Sequence, residues 1–283
     1  MVSEIKRSSY PIGVFDSGVG GLTVLQELNR QLPHESVVYF GDTARLPYGK
    51  RTQTEIIEFV QQILVWMQSQ QVKMVIMACN TSSALALDAL RQEFDFPILG
   101  VILPGARAAV KKGRRIGVIA TTATVNSEAY VQAISESLAE MQSHAQIWQV
   151  ACPEFVPLIE SNRINDPYTL EVAREYLTPM LAADIDTLVF GCTHYPHLAD
   201  VFRQILPAHV RFVDPAVSVV RAAAKELEIL GLRHTDPRSA ISRDLTKFYV
   251  SGDPEQFAQI SSRWLNKMPT VEKVVLSPVE LLS

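Results

Sequence analysis

Cysteine is scarce in this chain. Three residues in 283, Cys79, Cys152 and Cys192, form an odd set spread far apart, which excludes the paired framework of a small disulfide-stapled secreted fold. Long apolar runs are missing too. The greasiest stretch, 96–110, is cut by Pro97, Gly100, Pro104 and Gly105, so nothing approaches the roughly 18 residues of a membrane span and no membrane partner is expected. The opening MVSEIKRSSY carries charge but no apolar core, so no secretory leader is expected. These absences point to a reducing cytoplasm. Basic charge is not in excess either. Lys plus Arg is 26 and Asp plus Glu is 30, a net charge of −4, which lacks the electrostatic footprint of a nucleic-acid binder. A local basic pocket for a small anion stays open.

What is present is an ordinary globular composition, 47% apolar and 20% charged, at a length that suits two domains or one large one. Short β-branched runs recur at 12–15, 37–40, 74–77, 98–102, 116–119, 147–150, 187–190, 210–213, 248–250 and 271–276. Between most of them the apolar residues take helical spacing, as in Leu22, Leu25, Leu28 and Leu32. Helices are also expected over 81–94, 126–141, 167–182, 195–206 and 215–230. Continuous apolar strands separated by helices predict an α/β fold with parallel-rich sheets flanked by helices. Ligands bind such sheets beyond the carboxyl ends of the strands, so the residues just after each strand carry the functional reading.

A faint internal repeat appears there. Ile12-Gly13-Val14 returns as Ile116-Gly117-Val118, 104 residues on, and Cys79 has a counterpart in Cys192, 113 residues on. Leu103-Pro104-Gly105 is echoed by Asp214-Pro215-Ala216, each with its helix. The shared order predicts two pseudo-symmetric lobes with the active site in the cleft between them. The first lobe is expected to comprise 1–98 plus 211–283, and the second 99–210. After the helix at 215–230, a polar stretch at 233–244 and two further strands are expected to return to the first lobe.

Three strand-tip motifs carry the chemistry. Asp16-Ser17-Gly18-Val19-Gly20-Gly21 sets two polar side chains and three glycines ahead of a helix. It fits a cradle of backbone amides for an anion, and equally a tight turn with Asp16 or Ser17 capping the helix. It is neither the dinucleotide fingerprint nor a P-loop. Cys79-Asn80-Thr81-Ser82-Ser83 places a thiol at a helix start, where its pKa is expected to fall below ~8.5. A buried structural cysteine is the alternative. Gly191-Cys192-Thr193-His194-Tyr195-Pro196-His197 has the same placement, and His194 could relay protons for Cys192. Cys192, His194 and His197 have ligating side chains, but no further ligands cluster nearby and no metal is expected. His197 reads as a helix-surface residue. Gly41-Asp42-Thr43 with Pro47-Tyr48-Gly49, and Cys152-Pro153 with Glu160, occupy matching places in the two halves. Cys152 has no activating partner in sequence and reads as structural.

Two thiols facing each other across a carbon suit a stereochemical exchange. One thiolate removes a proton from one face and the other thiol delivers a proton to the opposite face, with no redox change and no cofactor. The weak acidity of an amino-acid α-proton demands a desolvated site and hydrogen bonds to the carboxylate as negative charge develops. Phe15-Asp16-Ser17-Gly18-Val19-Gly20-Gly21, Gly41-Asp42 with Pro47-Tyr48-Gly49, Ala78-Cys79-Asn80-Thr81 and Gly191-Cys192-Thr193-His194-Tyr195-Pro196, in this order, resemble the glutamate racemase family. The likeness runs from Ile12 to about Pro215, and aspartate and hydantoin racemases match the four motifs less well. The resemblance implies a cofactor-independent interconversion of L- and D-glutamate, supplying D-glutamate for bacterial peptidoglycan. It implies a cytoplasmic homodimer. Cys79 and Cys192 become the acid and base, the first acting on the D enantiomer and the second on the L enantiomer. Asp16 and His194 assist the nearby thiols, and Glu160 is a further catalytic carboxylate. Asp16, Ser17, Tyr48, Gly49, Asn80, Thr81, Thr193 and His194 are the implied substrate-binding residues. Three other readings stay open: a related racemase acting on aspartate, a cysteine hydrolase with Cys192 as nucleophile, and a non-catalytic anion-binding module. The hydrolase leaves Cys79 unexplained, and the binding module rests on the glycine-rich turn alone.

Overall fold

A computed structural model describes residues 7–235 and 245–277. Among these, ten strands form two sheets. The first half of the chain supplies β1 (Ile12–Asp16), β2 (Val37–Gly41), β3 (Met74–Met77) and β4 (Ile98–Gly100). Then come β5 (Arg115–Ala120), β6 (Gln146–Ala151), β7 (Thr187–Gly191) and β8 (Arg211–Val213), and finally β9 (Thr246–Val250) and β10 (Val271–Lys273). The six-stranded sheet has the order β10-β9-β2-β1-β3-β4 and the four-stranded sheet β6-β5-β7-β8. Every neighbouring pair is parallel. The strands β1, β2, β3 and β7 are buried at every position, as parallel strands covered on both faces must be.

The two halves share one winding. β2-β1-β3-β4 and β6-β5-β7-β8 are the same order, so the weak sequence repeat corresponds to a repeated topology. In each half the winding reverses beside its first strand, which opens a crevice at the carboxyl ends of β1 and β3, and again of β5 and β7. The carboxyl-terminal segment returns to the first sheet, where β9 pairs with β2 from Val37↔Thr246 to Gly41↔Val250. The expected division of the chain cuts through β4 and leaves β8 out of the second lobe. Sheet pairing instead keeps β4 whole in the six-stranded sheet and β8 in the four-stranded one, because a strand follows its hydrogen-bonded ladder.

One apolar core joins the two halves. Ile12, Val14 and Ile76 of the first sheet and Ile116, Val118 and Val189 of the second belong to it, together with Val219, Val220 and Ala223. The last three lie on the helix Pro215–Ile229, which packs on both Leu22–Gln31 and Ile102–Lys112. At the end of the first sheet away from the cleft, Lys73 Nζ donates to Glu35 Oε2 (2.5 Å), Ser8 O (2.7 Å) and Leu232 O (2.9 Å). Glu35 Oε1 accepts from His234 N at 2.8 Å, and both charged side chains are buried.

Several elements differ from expectation. The helix expected over 81–94 is two short ones, Asn80–Leu85 and Leu87–Leu90. Ser82 and Ser83 turn their hydroxyls onto Cys79 O and Met77 O, both at 3.0 Å, and such local bonds compete with a regular helix. The helix expected over 195–206 opens as the 3₁₀ turn Tyr195–Leu198 before Ala199–Arg203. The one expected over 126–141 divides into Thr122–Asn126 and Ala129–Glu140, around Glu128 at a left-handed φ of 55°. The last strand stops at Lys273 rather than 276. Two helices, Phe155–Glu160 and Pro254–Leu265, are additional. Most of the polar stretch expected at 233–244 lies outside the described residues.

Candidate active site

The strand tips meet around a cavity of about 730 Å³. Ser17, Tyr48, Gly49, Cys79, Asn80 and Thr81 line it from one side, and Glu160, Cys192, Thr193 and His194 from the other. Of the implied catalytic and substrate-binding residues, Asp16 alone is missing from the wall. It is fully buried one layer beneath, and its neighbour Ser17 takes the surface position. Asp16 Oδ1 accepts from Gly18 N at 2.9 Å, and Oδ2 accepts from Thr193 Oγ1 at 3.2 Å. Asp16 therefore ties the tip of β1 to the tip of β7. Burial pushes its carboxyl up, and the nearby charge of His194 pulls it back in part.

Cys79 sits at the N-cap of Asn80–Leu85 and its thiol faces Ser17 Oγ at 3.9 Å. The helix start does not make it acidic, contrary to the expectation from position. Burial, then the charge of Asp16, pushes the thiol up to about 12, and two bonds from Ser82 oppose this only in part. A six-residue helix offers little dipole against near-complete burial. Behind the thiol, Tyr130 donates to Asn80 Oδ1 at 2.7 Å, leaving Nδ2 as the donor toward the cavity side. Thr81 Oγ1 lies 3.0 Å from Thr121 Oγ1 and 3.3 Å from Thr124 Oγ1, a second hydroxyl bridge between the halves.

Cys192 has a different seat. His194 Nδ1 lies 3.8 Å from its sulfur, and His194 Nε2 lies 3.0 Å from Glu160 Oε1. Burial alone would lower the histidine pKa, but the bonds to Cys192 and Glu160 outweigh it and raise it to about 10. The imidazolium is thus a donor at both nitrogens, with the Cys192 sulfur at one end and the Glu160 carboxylate at the other. Cys79 is a thiol among dipoles, while Cys192 is part of a charged relay.

The Tyr48 phenol is committed inward. It donates to Asp42 Oδ2, which Arg45 Nε also meets at 2.7 Å, while Ser251 Oγ donates to Asp42 Oδ1 at 2.7 Å. Burial and then the Asp42 charge push the phenol pKa well above its usual range. The Tyr48–Gly49 loop is therefore held by a buried carboxylate and by a hydroxyl from the returning segment. Cys152 lies on the cavity wall, yet β5 stands between β6 and β7. Two strand spacings, about 10 Å, separate its position from that of Cys192, too far for a disulfide.

Thr121 and Thr122 line the cavity without having been singled out in the sequence. The signal was present: the offset of 104 that maps β1 onto β5 carries Ser17 onto Thr121. His197 is no helix-surface residue. It is half-buried in the 3₁₀ turn and stacked on Trp264. Among the described residues no three His, Cys, Asp or Glu side chains are grouped to hold a metal, and no helix is long and apolar enough to cross a membrane.

One carbon between two thiols, each from an equivalent strand tip, is the requirement of a proton exchange with inversion, and it defines a racemase-type cleft. The chain belongs to the Asp/Glu/Hydantoin racemase family, whose profile matches residues 12–223. A glutamate racemase from Synechocystis sp. is 65% identical over 265 residues, covering 94% of this chain and 92% of the relative. A glutamate racemase isoform from Bacillus anthracis superposes with a TM-score of 0.88 at 35% identity, over 95% of this chain and 98% of that one. The enzyme from Francisella tularensis, solved in complex with D-glutamate, gives 0.85 at 33% identity over the same shares.

Proposed function

We propose that this protein interconverts L- and D-glutamate without a cofactor, supplying D-glutamate for peptidoglycan from the cytoplasm and working as a homodimer. The observation that carries the reading is the placement of Cys79 and Cys192 on the wall of one cavity, at matching tips of two half-repeats. The 65% identity to a glutamate racemase supports the choice of substrate. Cys192 takes the α-proton of L-glutamate and Cys79 returns a proton to the opposite face. For D-glutamate the roles reverse. His194, held by Glu160, stabilises the charged form of the Cys192 site, and Asp16 holds the β1 and β7 tips together beneath both thiols. Ser17, Asn80, Thr81, Thr193 and the Tyr48–Gly49 backbone offer the donors that meet the substrate carboxylates as charge develops at the α-carbon.

The test is chiral chromatography on L-glutamate with no added cofactor, then mass spectrometry in deuterated water at a few per cent conversion. Product should carry deuterium at the α-carbon while unreacted substrate stays protiated, from either starting enantiomer. Early label in the starting enantiomer would overturn the two-thiol assignment. Comparable kcat/KM on aspartate would overturn the choice of substrate. Replacing either thiol with alanine should abolish racemisation in both directions, because each turnover needs one thiolate and one thiol.

A further inference from the structure

An aromatic side chain from the returning segment reaches the histidine at Cys192. Trp264 lies in the last turn of the helix Pro254–Leu265 and packs against both the core shared by the two halves and the outer core of the second. Its ring meets His194 edge to face, with centroids 5.9 Å apart at 84°. His197 also stacks on it, 4.0 Å away at 28°. The helix is anchored locally, since Gln26 Nε2 donates to Trp264 O at 2.6 Å. The chain at Gly20 also comes close to His194, since a Cβ there would stand 2.5 Å from its Nδ1.

These contacts supply what the hydrogen bonds of His194 leave out. His194 is tethered at Cβ and bonded at Nε2, but its Nδ1 contact with Cys192 is long at 3.8 Å, so the ring can still rock within those limits. The indole and the Gly20 backbone, both packed against the ring, restrict that rocking. His197 Nε2 is buried with no hydrogen-bond partner among the described residues, so that ring serves the stack rather than a hydrogen-bond network. We infer that Trp264 is a positioning residue for the reaction, fixing the His194 plane so that Nδ1 faces Cys192 while Nε2 faces Glu160, with His197 holding the indole in place.

This inference rests on the racemase reading, and the experiment separates the two. In the proposed cycle His194 faces a Cys192 thiolate when L-glutamate is bound and a Cys192 thiol when D-glutamate is bound. A tilted ring changes the two bound states unequally. Initial rates are measured from each enantiomer for the wild type, Trp264→Ala, Trp264→Phe and His197→Leu. Trp264→Ala should change the ratio of the two kcat values by about threefold or more, with KM values shifting in compensation because kcat/KM must stay equal for the two enantiomers. Trp264→Phe keeps an aromatic edge and should stay near the wild-type ratio. His197→Leu should move the ratio in the same direction as Trp264→Ala, by less, and it carries the test if Trp264→Ala does not fold. A merely structural loss lowers both kcat values by one factor and leaves KM alone, and that result in the foldable variants overturns the inference. A wild type that racemises nothing would instead overturn the functional reading.

Discussion

At His194 two hydrogen bonds work against burial and win, so the ring is charged at neutral pH, with its pKa raised from 6.5 to about 10. The folded value lies above the unfolded one. Protonation therefore contributes stability that is fully present below about pH 6.5 and is lost as pH rises toward 10. Side-chain NMR should show no titration of His194 between about pH 6 and 9, and Glu160→Gln should bring its midpoint down. A wild-type midpoint near 6.5 would refute the charged relay. The positions of Cys79 and Cys192 are legible in sequence because each follows an apolar strand and opens a helix. The protonation of Cys79 is not legible, because it follows from burial and from Asp16, which only the tertiary fold brings near. His194 is legible beside Cys192, but Glu160 reaches it only in the fold. Asp16 is a case in point: the motif marks it for ligand contact, and one turn of backbone gives the cavity to Ser17 instead.

At the scale of elements, strand positions were readable because both faces of the sheets are covered and the apolar runs are continuous. Helix ends were less so, where serine hydroxyls bond backbone at 82 and 83 and where the 3₁₀ turn Tyr195–Leu198 precedes the helix Ala199–Arg203. The helix Pro254–Leu265 had a readable start, since Asp253 caps Glu255 and Gln256 ahead of a first-turn proline. Its contact with His194 was not readable, because Trp264 lies 70 residues further along the chain and meets the ring only in the fold. The same is true of the Lys73–Glu35 pair, which fastens the starts of β2 and β3 to Ser8 and Leu232. Glu35→Ala strands a buried ammonium and should lower unfolding stability by about 3–5 kcal/mol, read from urea denaturation. A loss under about 1 kcal/mol would mean that water reaches Lys73.

The whole molecule has two sheets, yet the core between them is held in common by residues of both and by the helix Pro215–Ile229. Hydrogen bonds from Thr193 to Asp16 and between Thr81 and Thr121 add to it at the cleft floor. Neither half can unfold without exposing the apolar face of the other. Thermal or urea unfolding should therefore be a single transition, coincident by fluorescence and by circular dichroism. Two separated transitions would show that the lobes are independent.

The unequal seats of the two thiols leave a mark on time as well as on space. On the proposed mechanism, the molecule that releases D-glutamate is not the one that bound L-glutamate: Cys192 keeps the proton it took, and Cys79 lacks the one it gave. The empty enzyme thus carries a memory of its last product, erased only when protons trade with water through the cleft mouth. That memory decays to the form ready for L-glutamate when Cys79, its pKa pushed up to about 12 by burial, takes a proton from water and Cys192 gives up its own beside the His194 imidazolium. An equilibrated pool of labelled enantiomers given a large excess of unlabelled L-glutamate should drift transiently toward labelled L before returning to one to one. A labelled ratio that never leaves one would mean that the memory fades faster than the enzyme turns over.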